Sequence, residues 1–201
     1  MKKRPVAIHL IFSALLLTAL CWAPEASAEP AGEEALSQEE LGAYGHGIAV
    51  KDLRFLWTLR EDSIDIQLAA PTNGWVGIGF NPETPENMKG ANFVIGYVKG
   101  GKAEAFDHYG TTKNKHGEDE KLAGKSDVTN VSGSEQDGRT VLEFTIPLAS
   151  GDSTDKPVSR EGDNTLLLAY GRSDSVVLKH RFRAILAVNL STGEHSVLKM
   201  R

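Results

Sequence analysis

Residues 74–98 read GWVGIGF, NPETPENMKGA and NFVIGYV: a glycine-rich apolar segment, a polar loop and a second apolar segment. The two apolar segments are predicted to be buried strands. Gly77 and Gly79 leave one face of the first strand without side chains, which is typical of close approach by another backbone or a bulky ligand. The two prolines of the loop exclude a helix there. The loop presents one thioether, Met88, whose place on a polar loop needs an explanation.

On both sides of this stretch, apolar and polar residues alternate, as in half-buried antiparallel strands. Strands are expected at 55–59, 63–70, 75–80, 93–98, 102–108, 128–131, 140–147, 165–170, 182–190 and 195–198, and residues 110–125 and 151–164 are expected to be polar surface loops. The body has no long helical pattern and no internal repeat. These features predict an all-β protein, a two-sheet antiparallel β-sandwich.

The N-terminus has the three parts of a secretory signal peptide. Basic residues at positions 2–4 precede an apolar run at 10–20, and Ala26-Ser27-Ala28 follows. The apolar run is shorter than the ~20 residues of a membrane span, so we expect cleavage after Ala28 and a periplasmic or secreted product without a membrane span. The predicted organisation is a signal peptide at 1–28, an acidic mobile leader or short helix at 29–42, and a β-sandwich domain at 43–201.

Composition restricts the chemistry of the mature chain. The single cysteine, Cys21, lies within the predicted signal peptide. Its removal excludes disulfides, thiolate chemistry and covalent c-type haem attachment. The whole chain has a net charge of −5. Removing three basic residues and one acidic residue leaves 22−3=19 basic and 27−1=26 acidic residues, a net charge of −7. This charge argues against nucleic acid or an anionic membrane as partner and is compatible with a basic redox partner protein.

Five histidines follow residue 28, and no group of them has the spacing of a structural zinc site. We expect His116 to be solvated in a charged loop and His108 to have a hydrogen-bonded surface role at a strand end. His180 precedes the last long strand and is either a strand-edge histidine with a backbone partner or a metal ligand. Met88 is either an apolar plug over the end of the core or a soft ligand, most plausibly to haem iron.

Several motifs together resemble the DOMON domain family. They are GWVGIGF at 74–80, MKGAN at 88–92, FDHY at 106–109, LAY at 168–170 and the late His180. The resemblance extends over nearly all of residues 50–190. It implies an Ig-like β-sandwich that binds haem or sugars, in a family that includes the cytochrome domain of cellobiose dehydrogenase.

The resemblance also implies a set of site residues. Haem-binding members ligate iron through a methionine in the loop after the Gly-Trp strand and a histidine near the C-terminal strand. These positions correspond here to Met88 and His180, and related subunits that use lysine make Lys179 the fallback ligand. The expected apolar wall of the haem pocket is formed by Phe80 and Phe93, or by their neighbours on the face that carries Gly77 and Gly79. The expected partners of the haem propionates are cationic: Arg181, with Arg183 or Lys89.

The function implied by the resemblance is that of an exported b-type cytochrome domain with non-covalent haem b. Methionine and histidine would fill both axial positions, which favours one-electron transfer over catalysis. Two other functions remain open at this point. One is a haem-free module that binds a carbohydrate or another small ligand, and the other is an accessory subunit of a periplasmic oxidoreductase. The identity of the redox partner does not follow from the sequence.

Overall fold

The computed structural model describes residues 36–201. The predicted signal peptide and the beginning of the predicted leader therefore lie outside the described residues. The end of that leader forms a short helix, α1 (Gln38–Leu41), which begins with a capping box between Ser37 and Glu40. Leu36 and Leu41 lie over Gly47, where a side chain would overlap them. No helix within residues 36–201 is long and apolar enough to cross a bilayer.

Twelve strands form two antiparallel sheets. One sheet has five strands in the order β1-β2-β3-β9-β8, and the other has seven in the order β12-β11-β10-β4-β5-β6-β7. The strands are β1 (His46–Val50), β2 (Leu53–Leu59), β3 (Ser63–Ala70), β4 (Val76–Phe80), β5 (Asn92–Lys99), β6 (Lys102–Thr112), β7 (Lys115–Glu118), β8 (Thr129–Gln136), β9 (Arg139–Pro147), β10 (Asp163–Tyr170), β11 (Phe182–Asn189) and β12 (His195–Met200). The predicted all-β, two-sheet antiparallel sandwich is confirmed.

The main hydrophobic core lies between the two sheets. In β3 and β9 every second side chain is buried there, as the alternating sequence of both strands predicts. The indole of Trp57 is fully buried in this core and donates a hydrogen bond to the Leu190 carbonyl (2.8 Å). From β4 the core receives Val76, Ile78 and Phe80. The intervening Gly77 and Gly79 consequently face the outer side of the seven-stranded sheet.

The prediction of a surface loop at 110–125 is wrong. β6 continues to Thr112, β7 pairs with it, and a 3₁₀ helix (Asp119–Leu122) follows. The side chains of this segment are polar, but β7 is an edge strand, and the backbone hydrogen bonds of an edge strand do not require apolar side chains. The hydrophobic pattern of the sequence therefore did not predict β7.

Candidate functional site

A second apolar cluster lies on the outer face of the seven-stranded sheet. Its buried members are Trp75, Ala91, Phe93 and Ile95. Strand register explains the position of the phenylalanine: Phe93 pairs with Gly79 across β4 and β5, and a Cβ at Gly79 would overlap the Phe93 ring. The close approach predicted from the glycines is therefore made, at Gly79, by an aromatic side chain.

This outer cluster forms the floor of a cavity of about 780 Å³. The volume lies within the range of small-molecule and cofactor sites. Two loops complete the walls, one contributing residues 86–88 and the other residues 176–181. Both predicted ligands, Met88 and His180, line the cavity, and so do Phe93, Lys179, Arg181 and Arg183. The structure thus brings together most of the residues that the sequence singled out.

The predicted position of Phe80 in the wall of the pocket is wrong. Its side chain is fully buried in the core between the sheets and does not line the cavity. The reason is strand alternation, because Phe80 lies one residue beyond Gly79 and points to the opposite face of β4. Trp75 and Ile95 line the cavity with Phe93 and form the apolar wall instead.

The Met88 loop is held by backbone hydrogen bonds to the β6–β7 hairpin. The Met88 amide donates to the Lys113 carbonyl (3.0 Å), and the Gly90 amide donates to the Gly110 carbonyl (2.8 Å). Gly110 has no side chain at the point where the Met88 carbonyl passes, and a Cβ there would overlap that carbonyl. The half-buried Met88 side chain packs on the outer apolar cluster. The position of the thioether therefore depends on a glycine in a neighbouring strand.

His180 lies at the end of the second loop, directly before β11. The Arg181 amide donates to the Tyr170 carbonyl (2.8 Å) and closes this loop onto the end of β10. Burial lowers the pKa of the half-buried His180, and the nearby Arg183 and Lys179 lower it further. A lowered pKa favours the neutral imidazole, which is the form that ligates metals. Lys179 is exposed.

The cavity is lined by more basic than acidic residues, although the chain as a whole is acidic. One acidic side chain lines it, Glu86, which forms an ion pair with Lys199. The lysine and arginine residues that line the cavity are Lys113, Lys179, Arg181, Arg183 and Arg201. None of these five forms a salt bridge with another residue of the described part of the chain. Lys89, an alternative partner for propionates, does not line the cavity and pairs with Glu83 (3.0 Å). The cavity therefore suits an anionic ligand.

The predicted surface position of His108 and the predicted solvation of His116 are wrong, whereas the predicted hydrogen bond of His108 is present. His108 is buried, and its Nδ1 lies 2.6 Å from Nδ1 of the half-buried His116. His116 lines the cavity and packs against the Phe93 ring. Burial and the adjacent His116 lower the pKa of His108 to about 4, and burial lowers the pKa of His116. The two histidines meet because β6 and β7 are hydrogen-bonded to each other, and the hydrophobic pattern of the sequence does not predict β7.

The residues of the cavity fit a haem group. A thioether and an imidazole of lowered pKa are the donor set of Met/His cytochromes. The apolar floor suits a porphyrin face, and the unpaired basic side chains suit carboxylates. The buried indole N–H of Trp75 has no hydrogen-bond partner within residues 36–201, which leaves a donor unused in the cavity wall.

Comparisons with known proteins agree with this architecture. The chain is 31% identical over 133 residues to MOXD1 homolog 2 of Drosophila melanogaster, a match covering 65% of this chain and 17% of that relative. The cytochrome b domain of pyranose dehydrogenase from Coprinopsis cinerea has a similar structure, with a TM-score of 0.53, 13% identity and coverage of 71% of this chain and 79% of that one. The cytochrome domain of Myriococcum thermophilum cellobiose dehydrogenase has a TM-score of 0.47 at 13% identity, covering 71% of this chain and 69% of that one.

The matched segment is thus a small part of the curated relative, and the likeness to the cytochrome b domain of pyranose dehydrogenase is one of fold. The family model of the DOMON domain matches residues 50–171, more than half of the chain. The resemblance predicted from the sequence is confirmed, and the chain belongs to the DOMON domain family.

Proposed function

We propose that this protein is an exported b-type cytochrome domain that transfers single electrons through non-covalently bound haem b. The observation that carries the proposal is that Met88 and His180 line one cavity although they come from loops far apart in the sequence. A soft thioether and a neutral imidazole are the axial donors that the chemistry requires. When bound, the haem would supply a reversible one-electron couple.

The chain's own residues have separate tasks in this proposal. Met88 and His180 would hold the haem iron, and an iron that already has two protein ligands favours electron transfer over catalysis. The apolar wall of Trp75, Phe93 and Ile95 excludes water from one face of the site. Arg181 and Arg183, which line the cavity, would neutralise the haem propionates through charge-assisted hydrogen bonds.

The test is the absorbance spectrum of the purified protein before and after reconstitution with haem b. We expect a low-spin b-type spectrum, and we expect Met88→Ala and His180→Ala to lose low-spin ligation. Met200→Ala and His195→Gln are matched controls, because neither residue lines the cavity. Lys179→Ala decides between the two neighbouring donors: loss of low-spin ligation in that variant but not in His180→Ala would make Lys179 the ligand.

The same preparation tests the alternatives. A colourless protein that takes up no haem, yet binds an oligosaccharide with equal affinity in wild type and Met88→Ala, would replace the cytochrome function with a carbohydrate-binding one. Co-purification with a larger redox subunit would identify an accessory subunit of an oxidoreductase. Export is tested by fractionating cells that express the full chain, with the mature protein expected outside the cytoplasm and without residues 1–28.

A further inference from the structure

Three aspartates meet on the inner side of β6, away from the cavity. Asp107 pairs with Val94 in the strand register and so shares the inner face with that core residue. Asp119 begins the 3₁₀ helix, and Asp155 belongs to the loop between β9 and β10. One carboxylate oxygen from each lies within 4.8 Å of the other two. The cluster thus joins three separate segments of the chain.

These carboxylates are buried without the partners that such groups normally have. Asp119 is 0% exposed, and neither of its oxygens accepts a hydrogen bond from any residue in 36–201. Asp107 is 5% exposed, and its Oδ1 has no partner there either, while its Oδ2 accepts from the Asp127 amide (2.9 Å). The hydroxyl of the neighbouring Thr154 donates to Asp152 (2.8 Å). An unpaired buried carboxylate oxygen points to a missing positive partner.

Within residues 36–201, no lysine or arginine forms an ion pair with any of the three aspartates. Asp155 has one oxygen that accepts from the Ser150 hydroxyl and another, Oδ1, that is buried without a partner. Burial, together with the charges of neighbouring aspartates, raises the pKa of Asp107 to about 7 and that of Asp119 to about 6. Three such groups are compatible with folding if protons or a cation neutralise them.

The donor atoms restrict the kind of cation that the cluster can bind. Two ligand atoms of one ion are separated by at most twice the metal–oxygen distance. This maximum separation is about 4.6–5.2 Å for Ca²⁺ and about 4.0–4.2 Å for Mg²⁺. The three oxygens of the cluster lie within 4.8 Å of one another and can therefore share one ion, and Ca²⁺ accepts an irregular set of carboxylate ligands whereas Mg²⁺ demands near-ideal octahedral geometry. The donors are all hard carboxylate oxygens, with no histidine or cysteine among them, which disfavours zinc and copper.

We propose that Asp107, Asp119 and Asp155 form a binding site for Ca²⁺. The ion ties the 3₁₀ helix and the β9–β10 loop to β6, and these segments approach each other closely: Gly124 has no room for a side chain beside Thr154. Asp107 is adjacent to His108 in β6, and Asp119 directly follows β7, which carries His116. The ion thereby supports, from the inner face, the strands that carry the histidine pair on the outer face.

The test is a calcium titration of the purified protein after treatment with a chelator, followed by calorimetry and by thermal unfolding. We expect saturable binding and a Tm that rises with Ca²⁺ concentration. In Asp119→Asn we expect binding weakened about tenfold or more, because a charged ligand is lost. Without Ca²⁺ the same variant is expected to be as stable as wild type or more stable, because a buried uncompensated charge is removed. A calcium-free Tm equal to or above that of wild type would show that the variant folds, so that its weaker calcium binding cannot be ascribed to unfolding.

Asp137→Asn is the matched control, since Asp137 is exposed in the β8–β9 turn and asparagine tolerates its positive φ of 52°. Its calcium affinity should equal that of wild type. Absence of binding heat and of any Tm change at millimolar Ca²⁺ would overturn the proposal. So would equal calcium affinity of wild type and Asp119→Asn, or equal affinity of the wild type for Mg²⁺. None of these measurements depends on haem, so they are independent of the proposed cytochrome function.

Discussion

The two faces of the seven-stranded sheet carry similar apolar side chains in different surroundings. The inner face packs against a second sheet, and Ile78, Phe80 and Val94 are fully buried there. The outer face carries Phe93 and Ile95, but two loops rather than a sheet lie over it and leave a cavity of about 780 Å³. The inner face is a folding core, whereas the outer face is a place where apolar surface remains available to a ligand.

Neighbouring residues in one strand show the same division. In β6, Asp107 points to the inner face and joins the acidic cluster, while His108 points outward to the histidine pair beneath the cavity. One strand thus connects two groups of polar side chains that do not contact each other. A change on one face is expected to affect stability and a change on the other to affect ligand binding, and four measurements test this separation.

The largest effect is expected from Phe80→Ala. Removal of this fully buried ring should lower the free energy of unfolding by about 3–5 kcal/mol, because it leaves a cavity between the sheets. Phe93→Ala is the matched variant on the outer face and should cost clearly less, because its ring already borders a cavity. Urea unfolding of the haem-free protein measures both. Equal losses would mean that the outer face is a closed core like the inner one.

The next effect is expected from Gly110→Ala. The new Cβ would overlap the Met88 carbonyl and displace the loop, which should cost about 1–3 kcal/mol of stability. The reconstituted variant should also lose part of its low-spin haem signal. Gly45→Ala is the control, because its Cβ would meet only the Trp57 carbonyl oxygen at 3.9 Å. A low-spin signal that is unchanged in Gly110→Ala would show that this glycine does not position the thioether.

A smaller effect is expected from pH in the calcium-free, haem-free protein. Burial holds the pKa of Asp107 at about 7, above its unfolded value, so the folded state binds the extra proton and stability falls as pH rises through 7. From pH 6.5 to 8 the Asp107 carboxyl alone should lose about 1 kcal/mol of stability. The buried histidines act in the opposite sense over the same range, because the pKa of His108 is lowered from 6.5 to about 4 and the unfolded state binds more protons.

Chemical unfolding at several pH values measures this dependence. The stability of wild type relative to Asp107→Asn should fall by about 1 kcal/mol from pH 6.5 to 8, because the histidines contribute equally to both proteins. Saturating Ca²⁺ should remove this fall, since a bound cation replaces the proton. A relative stability that does not change with pH would show that Asp107 does not take up the extra proton.

The smallest effect on stability is expected from Arg181→Gln. Arg181 is exposed, so the free energy of unfolding should change by less than about 0.5 kcal/mol. Haem affinity should nevertheless fall about two- to fivefold, as for loss of one solvent-exposed ion pair. Titration with haem b at low ionic strength measures the affinity, and Lys99→Gln, an exposed residue away from the cavity, is the control. Equal haem affinity in both variants would mean that Arg181 does not contact the propionates.

The sequence predicted much of the fold and part of the candidate site. Alternation in strands such as β3 and β9 was readable because burial on one face leaves a period of two. Met88 and His180 were predicted through motifs, since no pattern of composition connects two loops so far apart. Phe80 was assigned to the wrong face, although the alternation of side chains along β4 by itself places it opposite Gly79. The acidic cluster was missed because its members belong to three polar segments.

The sandwich, its apolar strands and the glycines that open one face of β4 could all be predicted from the amino-acid sequence. Those properties are local, because each depends on the order of apolar, polar and glycine residues within one strand. Tertiary contacts establish which loops border the outer face, that His108 and His116 meet, and that three aspartates are buried together. Each of these depends on pairing between distant segments, whose register is set by packing of the whole domain.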